Sequence, residues 1–183
     1  MTPLTFYTVG HGTRQLDELL ALLKQTNVVT LVDVRAQPRS QHNPQFNDDS
    51  LRVACERAGI VYHWAGRQLG GLRAPRPDSP HVALEEGRRG FADHMDTEAF
   101  RKGASQLRQL ATRGACAILC AERDPARCHR ALIADYLTLQ GMRVVHLIAP
   151  GESREHLLSP EARRESAALV YDRQTTARLD LGD

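Results

Sequence analysis

The chain has 183 residues, the length of one domain with room for a short appendage, and enough to bury a real core. Apolar residues make up 42% and charged residues 25%, which is ordinary globular composition and excludes a disordered or fibrous chain. The formal net charge of +2 gives no general attraction to nucleic acid or a membrane surface, so only a local basic cluster could argue for either.

Residues 4–9 read as a strand and Gly10-His11-Gly12-Thr13 as a turn. Residues 15–25 have Leu16, Leu19, Leu20 and Leu23 on one helical stripe, with Thr13 as the N-cap. The run 28–34 is nearly continuous in its apolar character, as a buried parallel strand should be. A polar loop spans 35–49, a helix capped by Ser50 runs to Ala58, Gly59 ends it, and 60–64 is a short strand. Residues 66–90, with Pro75, Pro77 and Pro80, read as a long irregular segment of the kind that forms lids. A helix over 97–112, a strand over 115–120, a helix opened by Asp124-Pro125 and a strand over 143–148 follow. Ser159-Pro160 reads as the start of a C-terminal helix reaching Tyr171, and 174–183 as a frayed tail.

Alternating strands and helices predict a single three-layer α/β domain over 1–150 with a mostly parallel five-stranded sheet, followed by the helix and tail of 151–183. Of the topologies that right-handed crossovers leave, strand order 3-2-1-4-5 is expected. It makes the first and fourth strands neighbours and brings the loops after them together at the carboxyl end of the sheet, where open α/β sheets bind ligands.

No run approaches the roughly 20 apolar residues that span a bilayer. The start, M-T-P-L-T-F-Y-T-V-G-H-G, lacks the basic and apolar regions of a secretion signal. Four cysteines in such a chain read as thiols rather than a disulfide frame. A cytoplasmic protein with no membrane partner is expected.

The residues that could carry chemistry cluster at that sheet edge. Gly10, Gly12 and Thr13 combine small residues with a helix N-terminus, whose N–H groups can hold an anion, and His11 is a candidate acid or base beside them. Asp33 and Arg35 share one side of a strand end. A carboxylate in so apolar a strand needs a partner, either Arg35 or Arg130. Arg35 and Arg39 are the candidates to hold an anionic ligand, with Phe46 covering an apolar part of it.

The densest stretch is C-A-E-R-D-P-A-R-C-H-R, Cys120 to Arg130. A thiol near a helix N-terminus and arginines has a lowered pKa, so Cys120 is a candidate thiolate, with Glu122 as a second catalytic group and Cys128 and Arg130 at the substrate. Cys128 is expected one turn into the next helix, so Cys128, His129 and Arg130 cannot all face one ligand, since adjacent helical residues point about 100° apart. The stretch is not a phosphatase loop: the sixth residue after Cys120 is Ala126, and Arg127 misses the required place by one. The spacing of Cys120 and Cys128 matches none of the usual short zinc patterns, so no metal is expected, and no cofactor either. Cys55 and Cys116 read as buried structural thiols.

Taken together, G-H-G-T, D-V-R-A-Q-P-R-S with N-P-Q-F, L-G-G at Leu69 to Gly71, R-G-F-A-D-H-M and C-A-E-R-D-P-A-R-C-H-R-A-L-I-A resemble the domain of unknown function 488 family over roughly residues 5–148. The family usually carries Ser where Gly12-Thr13 begin the helix here. The resemblance implies an α/β domain with these motifs grouped at one end, and no reaction.

Three functions fit these residues. The first is an enzyme acting on an anionic substrate, a nucleotide among the candidates. The second is a module that binds a nucleotide or, less favoured, nucleic acid without catalysis. The third is a thiol redox or metal protein.

Overall fold

The computed structural model describes residues 2–173. The strands are β1 (Thr5–Gly10), β2 (Thr30–Asp33), β3 (Val61–Trp64), β4 (Cys116–Cys120), β5 (Arg143–Ala149), β6 (Glu152–Glu155), β7 (Ala162–Glu165) and β8 (Ala168–Tyr171). The helices are α1 (Leu16–Gln25), α2 (Asp48–Arg57), α3 (Gly66–Leu69), α4 (Glu86–His94), α5 (Glu98–Arg113) and α6 (Arg130–Leu139). The protein is a mixed α/β fold. Its main sheet has the order β3-β2-β4-β1-β5-β6, parallel except for β6, and β7 and β8 form a separate antiparallel pair.

Alternation along the strands divides the core in two. Phe6, Val32, Ile118 and Val144 join Phe91, Phe100, Leu107 and Leu132 of α4, α5 and α6. Val9, Leu31, Leu119 and Leu147 join Leu19, Leu23, Leu51 and Cys55 of α1 and α2. Strands covered on both faces have no polar side to alternate with, which is why β2 and β4 are buried at every residue.

The order differs from the expected 3-2-1-4-5. β1 and β4 are neighbours as expected, but β4 lies between β2 and β1, and β5 pairs with β1 rather than β4. β1 and β4 are both interior apolar strands, so their exchange leaves the pattern of burial almost unchanged.

Local chemistry explains the other departures. Thr97 caps α5, its Oγ1 accepting from the Phe100 N–H at 3.3 Å. Thr13 does not cap α1, and Ser50 lies inside α2 rather than at its start. Asp124-Pro125 opens only a 3-10 turn, Pro125–Arg127, with Asp124 Oδ1 accepting from Ala126 N at 3.0 Å; α6 begins at Arg130. Residues 66–90 are less irregular than expected, because α3 and the start of α4 lie within them. Asp93 pins the segment by accepting from Arg76 N and Ser79 Oγ, each at 2.8 Å.

The C-terminal helix expected from Ser159 is instead the β7–β8 hairpin. Ser166 takes a positive φ of 54° in its turn, and Ala162, Leu169 and Tyr171 face the core at strand spacing. Burial of the Tyr171 ring, which is 0% exposed, outweighs the helical propensity of the segment. The tail expected over 174–183 lies outside the described residues. No helix among the described residues is long and apolar enough to cross a membrane.

Candidate functional site

The pairing of Gly10 with Cys120 at the ends of β1 and β4 brings their following loops into contact. A Cβ on Gly10 would stand 2.0 Å from the Glu122 carbonyl oxygen, so only glycine lets the second loop cross here. His11 N donates to Cys120 O and Gly12 N to Ala121 O, each at 2.9 Å. These N–H groups hold the loop and are not free for an anion. Beside this crossing is a pocket of about 470 Å³ whose walls include His11, Arg35, Arg39, Cys120, Glu122, Cys128 and His129.

At its base the Cys128 thiol donates to Cys120 Sγ at 2.9 Å. His129 Nδ1 lies 3.8 Å from Cys120 Sγ and 3.6 Å from Cys128 Sγ. His129 Nε2 is 3.1 Å from the Val34 carbonyl, which can only accept, so Nε2 carries a hydrogen and Nδ1 is the atom turned to the sulfurs. Three causes set the Cys120 pKa well below the ordinary thiol value. The bond from Cys128 favours the thiolate, burial opposes it, and His129 and Arg130 add to the lowering. The Cys128 thiol is pushed up, since it is the donor in that bond and is itself buried. Cys55 and Cys116 have no such partners, and burial raises them to about 11 and about 12.

Cys128 and His129 reach one point because neither is inside a helix. Cys128 is extended, with φ −126°, between the 3-10 turn and α6, and His129 is the residue before α6. The helical rotation expected to separate them does not apply. Gly71 leaves room for the His129 ring, as a Cβ there would stand 2.5 Å from Nδ1, and Phe91 meets the ring at 4.9 Å between centroids.

Asp33 is fully buried and paired with Arg35, which donates through Nε at 2.8 Å and Nη2 at 2.6 Å. Tyr62 also donates to Asp33, at 2.6 Å. Arg35 is further engaged with the Phe46 carbonyl at 2.8 Å and with His11 Nε2 at 3.2 Å. These bonds use four of its five N–H groups. His11 donates from Nδ1 to Gly12 O at 2.9 Å and receives Arg35 at Nε2, so both ring nitrogens are committed. Burial, with the Arg35 charge adding, lowers the His11 pKa and keeps the ring neutral. An acid–base role for His11 would need one of these bonds to open. Phe46 is buried and stacks on His11 at 4.6 Å, and does not offer its face to a ligand as expected.

Arg130 is 0% exposed and pairs with no carboxylate among the described residues; of the two partners expected for Asp33, Arg35 is the one that serves. Its Nε donates to Thr8 Oγ1 at 3.1 Å, and its two terminal nitrogens donate to the carbonyls of Glu122 and Arg123. It therefore supports the loop from beneath. From Thr8 the contacts run to His146 Nδ1 at 2.6 Å, from His146 Nε2 to His156 Nδ1 at 2.8 Å, and from His156 Nε2 to Asp135 Oδ1 at 2.7 Å. Tyr171 donates to the other Asp135 oxygen at 2.9 Å.

His11, Arg35, Arg39, Cys120, Glu122 and Cys128 thus meet at one pocket, while Gly10, Gly12, Thr13 and Arg130 are outside its lining. Glu122 is exposed, and its carboxylate accepts from Asp124 N at 3.1 Å. Among the described residues Arg39 is held only by Asp48, at 3.6 Å, with its side chain 68% exposed. Arg127 is exposed and has no ion-pair partner among the described residues. His129 is the residue that sequence reasoning left out of the site. The signal was its place between Cys128 and Arg130. Arg14, buried and bonded to Glu18 and to the carbonyls of Gly10 and Ile148, was also missed.

The three atoms Cys120 Sγ, Cys128 Sγ and His129 Nδ1 lie within 4.8 Å of one another, a donor set that suits a soft ion. Two sulfurs bound at about 2.3 Å to a tetrahedral zinc are roughly 3.7 Å apart, and the 2.9 Å observed here is closer than that.

No curated protein and no solved structure matches the chain. A family model described as Domain of unknown function DUF488 matches residues 15–137, a span that holds every lining residue of the pocket except His11. The chain belongs to the Domain of unknown function DUF488 family.

Proposed function

We propose that the protein is an enzyme that acts on an anionic substrate in this pocket, with the Cys120 thiolate as its reacting group. The observation that carries this is the convergence of the Cys128 thiol and the His129 ring on Cys120 Sγ, at 2.9 and 3.8 Å. A sulfur with a donor and a basic ring beside it, at the wall of a pocket, is arranged to be a nucleophile. The anionic character of the substrate follows from Arg39 and Arg127, whose guanidinium groups are the least committed at the rim. Arginine presents a fork that suits carboxylate or phosphate. The segment 71–88 contributes Gly71, Leu72, Glu85 and Arg88 to one wall, and Arg88 ties it to the Ala126 carbonyl at 3.1 Å. A cytoplasmic setting fits this reading, because the chemistry needs reduced thiols.

The test is alkylation at neutral pH followed by peptide mapping. Cys120 should label far faster than Cys55 or Cys116. Iodoacetate, an anion, should gain on neutral iodoacetamide, and added salt should remove the gain. Labelling of Cys120 as slow as that of Cys116 would leave a binding module without covalent chemistry.

A further inference from the structure

We propose that Cys120 and Cys128 form a reversible dithiol–disulfide couple that reduces small anionic disulfides, with Cys120 as the attacking thiol and Cys128 as the resolving thiol. The couple rests on the reading of Cys120 as the reacting thiolate, and it adds a substrate class and a role for the second cysteine.

The geometry favours such a pair over a lone nucleophile. The sulfurs are 2.9 Å apart, against about 2.05 Å in a disulfide, so less than an ångström of approach closes the bond. Cys120 ends a strand in the middle of the sheet and is fixed there. Cys128 lies on the short connection between the 3-10 turn and α6, outside both elements. Both sulfurs belong to residues that line the pocket. The polarity of the contact assigns the order: Cys128 donates its hydrogen and Cys120 receives it.

The chemistry closes in two displacements. The Cys120 thiolate attacks one sulfur of R–S–S–R′. A mixed disulfide, Cys120–S–S–R, forms, and R′S⁻ leaves with the electron pair of the broken bond. Cys120 then no longer accepts from Cys128, whose S–H turns to His129 Nδ1, 3.6 Å away. The ring takes that proton. The Cys128 thiolate attacks Cys120 Sγ, the second thiolate leaves and collects the proton from His129, and the Cys120–Cys128 disulfide remains. The substrate has gained two electrons and the protein has lost two. Two equivalents of a small monothiol restore the dithiol and become its disulfide. Arg39 and Arg127 at the rim would hold the anionic groups of R and R′.

The probe is 5,5′-dithiobis(2-nitrobenzoate), an anionic disulfide, added to the folded, reduced protein without denaturant. The wild type should release two equivalents of thionitrobenzoate in one fast phase and end as a chain lighter by two hydrogens, with no adduct. Cys128→Ser should release one equivalent and keep a stable adduct on Cys120. A neutral dipyridyl disulfide should react without the salt dependence of the anion. A wild type that releases one equivalent and keeps its adduct would overturn the couple while leaving the Cys120 thiolate standing. The absence of any fast phase would overturn both. One-to-one binding of zinc that blocks the fast phase would replace the couple with a metal site. As a check that needs no variant, equilibration with oxidised and reduced dithiothreitol should remove two thiols together, and the loss of only one would count against the couple.

Discussion

Arg130 Nε donates to Thr8 Oγ1 at 3.1 Å, and the same guanidinium holds the carbonyls of Glu122 and Arg123. A fully buried cation is here satisfied by neutral oxygens. Replacing it by methionine leaves two loop carbonyls and a hydroxyl without their donor. Hydrogen bonds to charged groups contribute about 1.5–3 kcal/mol each. Arg130→Met should therefore cost on the order of 3 kcal/mol in urea unfolding and slow the alkylation of Cys120, since the loop that follows Cys120 loses its anchor. A variant with native stability and native thiol reactivity would show that the loop stands without it.

Arg35 and Arg39, four residues apart on one loop, should behave in opposite ways. Arg35→Ala strands the buried Asp33 carboxylate, and breaking a buried pair costs about 3–5 kcal/mol. Arg39 is exposed and only loosely paired with Asp48, so Arg39→Ala should change stability by less than ~0.5 kcal/mol. It should weaken the advantage of iodoacetate over iodoacetamide at Cys120. Parallel urea melts and labelling rates check both.

Acid should destabilise the fold over a defined range. His11, His81, His94 and His146 all have lowered pKa values, each chiefly through burial, and His146 falls to about 3. A histidine with a lowered folded pKa binds its proton more readily when unfolded, so stability rises with pH. Their contribution is fully present above the ordinary value of 6.5 and is lost as pH falls from there towards 3. Urea midpoints at pH 7.5, 6, 5 and 4 should decline steadily. His146→Gln should show lower stability at pH 7.5 and a shallower decline.

Gly71 tests the placement of His129. Gly71→Ala puts a methyl group 2.5 Å from the present position of His129 Nδ1, so the ring must move away from the sulfurs. Alkylation of Cys120 should slow several-fold, and the pH at which it half-reacts should rise, because a group that favours the thiolate has withdrawn. An unchanged pH profile would mean that His129 has no part in activating Cys120.

The sequence carried the strands and their burial well, because apolar runs such as those of β2 and β4 report two covered faces. It could not rank β1 against β4 within the sheet, since interior strands look alike whichever neighbour they take. The adjacency that brings the two loops together is common to both orders, which is why their meeting was legible while the order was not. Cys128 and His129 were misjudged because Asp124-Pro125 is as good an opening for a 3-10 turn as for a helix. The C-terminal hairpin was missed because its pairing depends on where Tyr171 finds a cavity and a carboxylate, both made by residues far away in the chain.

The contacts from Arg130 to Asp135 form one continuous chain. At one end Arg130 Nε donates to Thr8 Oγ1, and at the other the Asp135 carboxylate accepts from His156 Nε2. The guanidinium and the carboxylate thus stand at the two ends of a chain of three polar side chains, with each link polarised by the next. Tyr171 donates to the far end of this wire. The hairpin of β7 and β8, with no residue in the pocket, is thereby linked through polar contacts to the loop that follows Cys120.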